Sequence, residues 1–318
     1  MRRSLLRAAP LVLAAMLMLS ACVPSEAEGD ELVSRVSVTS FEVAGPGPAP
    51  DGGINRIGSD RVPVRGYEPA GDAEPWATLV WAHGGSFIRG TLDWPEADWV
   101  ARSFAAAGLR VISVDYVLAS ETVKAPAPAN DVAAVVAWAG AEYGGPLVVG
   151  GASAGAHLAT LATLAQAETA PERAAAALLL EYPTLHRTQR VDPQLADAVA
   201  ALPEARRFRA DRIAEMYDFY LGSEGRDAGA LVAGELPAAR LALLPPTIIV
   251  NADADELRAS GEEFADQLRA AGVTVTETIE AGTVHGYLNR PEESASAREQ
   301  AAATMAHFVS ELRATLGP

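Results

Sequence analysis

Short, continuous apolar runs alternate with longer stretches of helical pattern through the middle and end of the chain. No other feature restricts the fold as strongly. The runs are residues 78–82, 109–114, 147–149, 176–180, 247–250 and 273–279. Between them, residues 94–107, 130–143, 154–168 and 257–271 carry helical spacing, and 292–316 follow the last run. A strand apolar along its whole length must be covered on both faces, and helices placed between strands supply the cover. The rhythm therefore predicts an α/β fold built on a mostly parallel sheet. Two weaker strands come first. Residues 33–38 alternate as a half-buried strand does, and residues 61–67 follow a Pro- and Gly-rich loop at 45–53. The total is about eight strands. Residues 185–244 break the rhythm. They are helix-prone, above all at 205–221, with no clear strand, and are expected to rise over the sheet as a cap-like excursion that shapes a binding site. The plainer expectation is a peripheral helical pair with no substrate role.

One apolar run ends in Gly151-Ala152-Ser153-Ala154-Gly155, with a helical stretch directly behind it. A serine nucleophile has to project from a sheet on a tight strand-to-helix turn. Small residues two positions away on either side let backbones pass, and the helix N-terminus contributes a positive dipole and a free N–H. A bare Gly-x-Ser-x-Gly is common, but this setting nominates Ser153 as a nucleophile rather than part of an ordinary turn. Upstream, Trp81-Ala82-His83-Gly84-Gly85-Ser86 ends another run. Two glycines there can aim backbone N–H groups at the elbow. Gly84, Gly85 and Ala154 are thus the expected oxyanion donors, each contributing roughly 2.7–4 kcal/mol to an acyl-transfer transition state.

A serine hydroxyl needs a base, and the base needs a third group to orient it. Of the five histidines, His83 belongs to the donor loop, and His157 lies one turn past Ser153 on the wrong side to reach back. His186 sits in the excursion and His307 inside the last helix. His285 follows the last strand in Gly282-Thr283-Val284-His285-Gly286-Tyr287, the expected place for the base. The acid is expected between serine and histidine in chain order. Asp253, Asp255 and Glu256 all qualify by location, and any of them can instead cap the helix at Leu257.

These segments resemble the α/β-hydrolases, and within them the hormone-sensitive-lipase-like esterases, from about Leu79 to the end of the chain. His83-Gly84-Gly85-Ser86-Phe87 is similar to that branch's His-Gly-Gly-Gly-Phe/Trp oxyanion motif. The stretch Gly151 to Ala159 resembles its Gly-Asp-Ser-Ala-Gly-Gly elbow. Asp255-Glu256-Leu257-Arg258 resembles its Asp-Pro-Leu-Arg segment, which implies Asp255 as the acid. His285-Gly286-Tyr287 resembles its His-Gly-Phe segment. The resemblance implies serine-esterase activity with no cofactor and no metal. Departures are Ser86 for the third glycine, Ala152 for Asp, and Val117 and Ser120 in a segment otherwise like Asp-Tyr-Arg-Leu-Ala-Pro-Glu. Phe87, Trp94 and Tyr287 are candidates to line the substrate pocket, core packing being the other expectation.

The first residues have a logic of their own. Arg2, Arg3 and Arg7 open the chain, an apolar stretch runs from Ala8 to Leu19, and Leu19-Ser20-Ala21-Cys22 resembles a bacterial lipobox. Residues 1–21 are expected to be a lipoprotein signal peptide, with Cys22 lipidated and holding the protein on the outer face of a bacterial membrane. Cys22 is the sole cysteine, so no intrachain disulfide is possible. Residues 22–31 read as an acidic tether, and 32–318 as one α/β-hydrolase domain.

Composition removes other classes. With 49% apolar and 21% charged residues, disorder throughout is excluded. A net charge of −16 with a single lysine, Lys124, leaves no basic stripe for nucleic acid. The expected function is hydrolysis of small or medium carboxylic esters through an acyl-enzyme. The alternatives are a peptidase or amidase, a carbohydrate or feruloyl esterase on the same fold, and a surface-displayed binding protein without catalysis. The last is disfavoured because all three triad residue types are present.

Overall fold

The computed structural model describes residues 33–47, 58–227 and 229–317. The signal peptide, the tether and most of the loop at 45–53 lie outside the described residues. Eight strands form one sheet in the order β1-β2-β4-β3-β5-β6-β7-β8. They are β1 (Ser37–Ala44), β2 (Arg61–Glu68), β3 (Thr78–Ala82), β4 (Arg110–Val114), β5 (Leu147–Ala152), β6 (Ala177–Glu181), β7 (Thr247–Ala254) and β8 (Val275–Val284). β2 pairs antiparallel with both β1 and β4, and every later pairing is parallel.

Every residue of β3, β5 and β6 is buried, as expected for strands covered on both faces. Two layers of helices do the covering. α1 (Asp98–Ala106) and α8 (Ala295–Leu316) place Val100, Phe104, Met305 and Phe308 against one face, beside Leu79 and Trp81. α2 (Ala127–Glu142), α3 (Ala154–Thr169) and α7 (Arg258–Ala270) place Val132, Leu158, Phe264 and Leu268 against the other, beside Val80 and Val149. Each such side chain contributes about 1.5–3 kcal/mol when fully buried.

Several boundaries differ from the sequence reading, through strand pairing or local turn hydrogen bonds. The first strand does not span 33–38. Val33 and Ser34 lie in a helical turn, and β1 begins at Ser37, where its partner Glu68 ends β2. The helix expected from residue 94 begins at Asp98, because residues 94–97 form turns with their own hydrogen bonds. β7 and β8 run well past the apolar runs that announced them. They stay paired as far as Ala254 and Val284, with an irregularity between Ala252 and Ala254.

The stretch 185–244 carries α4 (Pro193–Val199), α5 (Ala210–Asp227) and α6 (Ala238–Leu241) and no strand. α5 is broken at Gly222, where the backbone turns to φ 59°.

Candidate active site

β5 delivers Ser153 to the carboxyl edge of the sheet and α3 starts at the next residue. Ser153 adopts φ 53° and ψ −117°, a conformation that costs a non-glycine residue of order 1–3 kcal/mol. The surroundings impose it. A Cβ on Gly155 would meet the Ala82 carbonyl oxygen at 2.1 Å, and one on Gly151 would meet the Gly155 backbone at 2.5 Å. The flanking glycines therefore answer to close backbone approach, and the turn between them is forced.

Ser153 Oγ lies 3.0 Å from His285 Nε2, and His285 Nδ1 lies 2.7 Å from Asp255 Oδ2. With the carboxylate accepting at Nδ1, the lone pair of the ring sits on Nε2 and accepts from the serine hydroxyl. All three residues are buried. The far ends of β7 and β8 bring acid and base together, and Gly286, at φ 68°, turns the chain immediately behind the histidine. Phe208 and Tyr182 pack against the imidazole, with centroids at 4.1 and 4.8 Å.

The three acids that location left equivalent do three different things. Asp255 takes the histidine and also accepts from Leu257 N–H at 3.0 Å, in the turn ahead of a helix that has no side-chain cap. Asp253 accepts from Gly282 N–H at 2.9 Å and ties the ends of β7 and β8 together. Glu256 accepts from Phe208 N–H at 2.6 Å and so fastens the excursion over the site.

The donor loop requires a correction. Gly84 N–H is already committed to Glu96 Oε2 at 2.6 Å, so it does not face an oxyanion. Among the described residues no protein acceptor receives the N–H of Gly85, Ser86 or Ala154. Gly85 and Ser86 line the cleft beside Ser153. Ser86 thus takes the donor place assigned to Gly84. It stands in the left-handed region at φ 55°, where a glycine is easier to hold. His83 braces the loop: its Nδ1 lies 2.7 Å from the Gly84 carbonyl oxygen, and the His83 carbonyl oxygen accepts from the Tyr116 hydroxyl at 2.7 Å.

Glu96 was not singled out by the sequence. It is buried, binds Gly84 through one carboxylate oxygen and accepts from the Tyr182 hydroxyl at 2.5 Å through the other. Its position in a helical stretch hid this role, because the contact spans twelve residues one way and 86 the other.

The cleft above the serine has a volume of about 280 Å³. Trp94 lines it as expected. Phe87 and Tyr287 do not. Phe87 is fully buried, stacked on Tyr220 at 4.0 Å and edge-on to His157. The Tyr287 ring sits against Tyr182, and its hydroxyl lies 2.5 Å from Thr304 Oγ1. Both belong to the core, where aromatic neighbours take up their rings: His157, Tyr217 and Tyr220 around Phe87, and Tyr182 beside Tyr287. The other walls come from residues the sequence did not single out: Ala205, Arg206 and Phe208 of the excursion, Arg89 and Pro95, and Asn289 and Arg290 behind the histidine. Arg290 donates to the His285 carbonyl oxygen at 2.7 Å. Burial and the neighbouring Arg206 charge both lower its pKa from the usual arginine value. Among the described residues, no group of three or more His, Cys, Asp or Glu side chains is placed to hold a metal ion.

The sequence and the fold that hold these three side chains have known counterparts. Residues 79–289 match the alpha/beta hydrolase fold family. The chain belongs to that family. This α/β-hydrolase is 35% identical over 238 residues to carboxylesterase NlhH of Mycobacterium tuberculosis, covering 72% of each chain. It is 32% identical over 266 residues to the carboxylic ester hydrolase LipN of the same organism, covering 80% of this chain and 65% of LipN. Its fold is like that of brefeldin A esterase, described as a bacterial homologue of human hormone sensitive lipase. That likeness has a TM-score of 0.69 at 24% identity, over 87% of this chain and 77% of the other.

Proposed function

We propose that this α/β-hydrolase is a serine carboxylesterase working through an acyl-enzyme. The observation that carries the reading is the continuous line from Ser153 Oγ through His285 to Asp255, at 3.0 and 2.7 Å, opening on the cleft. Ser153 attacks the ester carbonyl while His285 takes its proton. Gly85, Ser86 and Ala154 donate to the oxygen that becomes negative. His285 then protonates the leaving alcohol, Asp255 stabilising the imidazolium. Water, activated by the same histidine, releases the acid. A cleft of about 280 Å³ suits small or medium esters. Turnover of short p-nitrophenyl esters, compared with matched p-nitroanilides, tests the bond class. Faster anilide cleavage refutes the ester assignment. Stoichiometric labelling by a fluorophosphonate tests the nucleophile, and a label found anywhere but Ser153 removes it.

The basic start, the short apolar stretch and the lipobox-like Leu19-Ser20-Ala21-Cys22 support export and lipidation at Cys22. Among the described residues no helix is long and apolar enough to cross a membrane, so on this reading the lipid carries the attachment. Replacing Cys22 by Ser is expected to move the protein from the membrane pellet to the soluble fraction, and retention in the pellet refutes lipidation.

A further inference from the structure

Three arginines converge on the cleft in a chain whose net charge is −16: Arg89, Arg206 and Arg290. They arrive from three separate segments: the oxyanion loop, the excursion and the turn after His285. Their charges are poorly matched. Arg206 and Arg290 share one carboxylate, Glu293, at 2.8 and 3.4 Å. Glu293 is half exposed, while the two guanidinium side chains are about one-third exposed or less. Among the described residues Arg89 has no ion-pair partner. The cleft's own carboxylate, Glu96, spends both oxygens on Gly84 N–H and the Tyr182 hydroxyl, so it acts on Arg290 only through its charge and forms no ion pair with any of the three arginines. Asp255 faces His285 and forms no ion pair with any of the three arginines. The mouth of the site therefore carries guanidinium donor capacity that no protein carboxylate completes, one ion-paired carboxylate serving three arginines. A neutral ester has no use for it.

Resting on the carboxylesterase reading, we propose that the substrate is an anionic ester: one bearing a carboxylate away from the scissile bond, received by Arg206, Arg290 and Arg89. A guanidinium presents a planar fork of donors that matches a carboxylate's two oxygens, and the partial burial of Arg206 and Arg290, though not of the exposed Arg89, strengthens the contact over one in open water. Arg290 has a second task, since its donation to the His285 carbonyl positions the catalytic turn. The specificity test therefore uses Arg206 and Arg89.

The experiment compares two matched ester pairs with the full enzyme. Mono-p-nitrophenyl glutarate against p-nitrophenyl valerate places the carboxylate on the acyl side. Phenyl acetate carrying a para carboxylate, against phenyl acetate itself, places it on the alcohol side. The readout is the ratio of kcat/KM, charged to neutral, within each pair, so any general loss of activity or folded protein cancels. The expected wild-type ratio is about ten or more in one pair at low salt, falling toward one near 1 M salt, where the screening length is about 3 Å. Arg206→Gln and Arg89→Gln are each expected to lower the ratio about tenfold, which corresponds to ~1.4 kcal/mol, while Arg206→Lys keeps part of it. A wild-type ratio at or below one in both pairs overturns the proposal. So does a ratio that neither Gln variant changes, since that is the outcome for arginines that only hold the loops together. Absence of turnover for all four esters overturns the carboxylesterase reading itself, and the proposal with it.

Discussion

Replacing Glu96 by Leu keeps most of the side chain's bulk and removes both acceptors. Gly84 N–H, now 2.6 Å from Oε2, and the Tyr182 hydroxyl, 2.5 Å from Oε1, are left as buried donors without partners. Each stranded donor costs about 1–3 kcal/mol, offset in part because a carboxylate no longer has to be buried. The net loss is roughly 1–3 kcal/mol. At about 2–4 °C per kcal/mol for a large single domain, Tm is expected to fall by roughly 2–12 °C. The larger effect falls on catalysis. Gly84 is the residue before the donors Gly85 and Ser86, and freeing it loosens both. The ceiling is the loss of one oxyanion donor, about 10²–10³ in kcat, so a fall of order 10² is expected with KM for a neutral ester changed only a few-fold. Glu96→Gln is the control. Its amide retains one acceptor for Gly84, and the Tyr182 hydroxyl can turn to accept from the NH₂ group, so most of kcat returns. Steady-state kinetics on p-nitrophenyl acetate and a thermal melt give both numbers. A Leu variant with a lowered Tm but a kcat within about threefold of the parent refutes the positioning role and leaves Glu96 as structure alone.

Three further outcomes follow from the same contacts. Asp255→Asn is expected to lower kcat by about 10⁴, because the wrong imidazole tautomer is then held, whereas Asp253→Asn stays within about tenfold; equal losses in the two variants refute the assignment of the acid. Gly155→Ala puts a methyl group 2.1 Å from a backbone oxygen that cannot rotate away, so soluble yield and thermal stability are expected to fall by at least the 1–3 kcal/mol typical of overpacking; an unchanged melt contradicts the tight elbow. Burial pushes the Glu181 carboxyl well above its ordinary 4.5, so the folded state holds a proton that the unfolded chain releases. Stability from this group is whole below pH 4.5 and drains away as pH rises through the folded value. Glu181→Gln should therefore match the parent in melts near pH 4 and exceed it increasingly toward neutral pH. Parallel curves at every pH refute the inference.

Local pattern was enough for the fold class and for two members of the site. Strands apolar on both faces and helices of regular period advertise a layered α/β sheet, because burial on two sides dictates composition residue by residue. Ser153 was legible for the same reason: the glycines around it answer to backbone contacts at one tight turn. His285 was legible by its place after the last strand. The rest depended on partners distant in the chain. Asp253, Asp255 and Glu256 sit within four residues and location left them equivalent; the resemblance to an Asp-Pro-Leu-Arg segment implied Asp255, and the extended pairing of β7 with β8, irregular at Ala252–Ala254, is what carries Asp255 to the imidazole. The reassignment of a donor from Gly84 to Ser86 follows from Glu96, whose reach back to the loop no spacing rule encodes. Phe87 and Tyr287 belong to the core, and Arg206, Phe208 and Arg290 form the cleft, because side-chain direction is set by the assembled backbone. Periodicity and motif record what each segment needs from its immediate neighbours. Which side chains meet across the sheet edge is a property of the packed chain, fixed when strands far apart in sequence come into register.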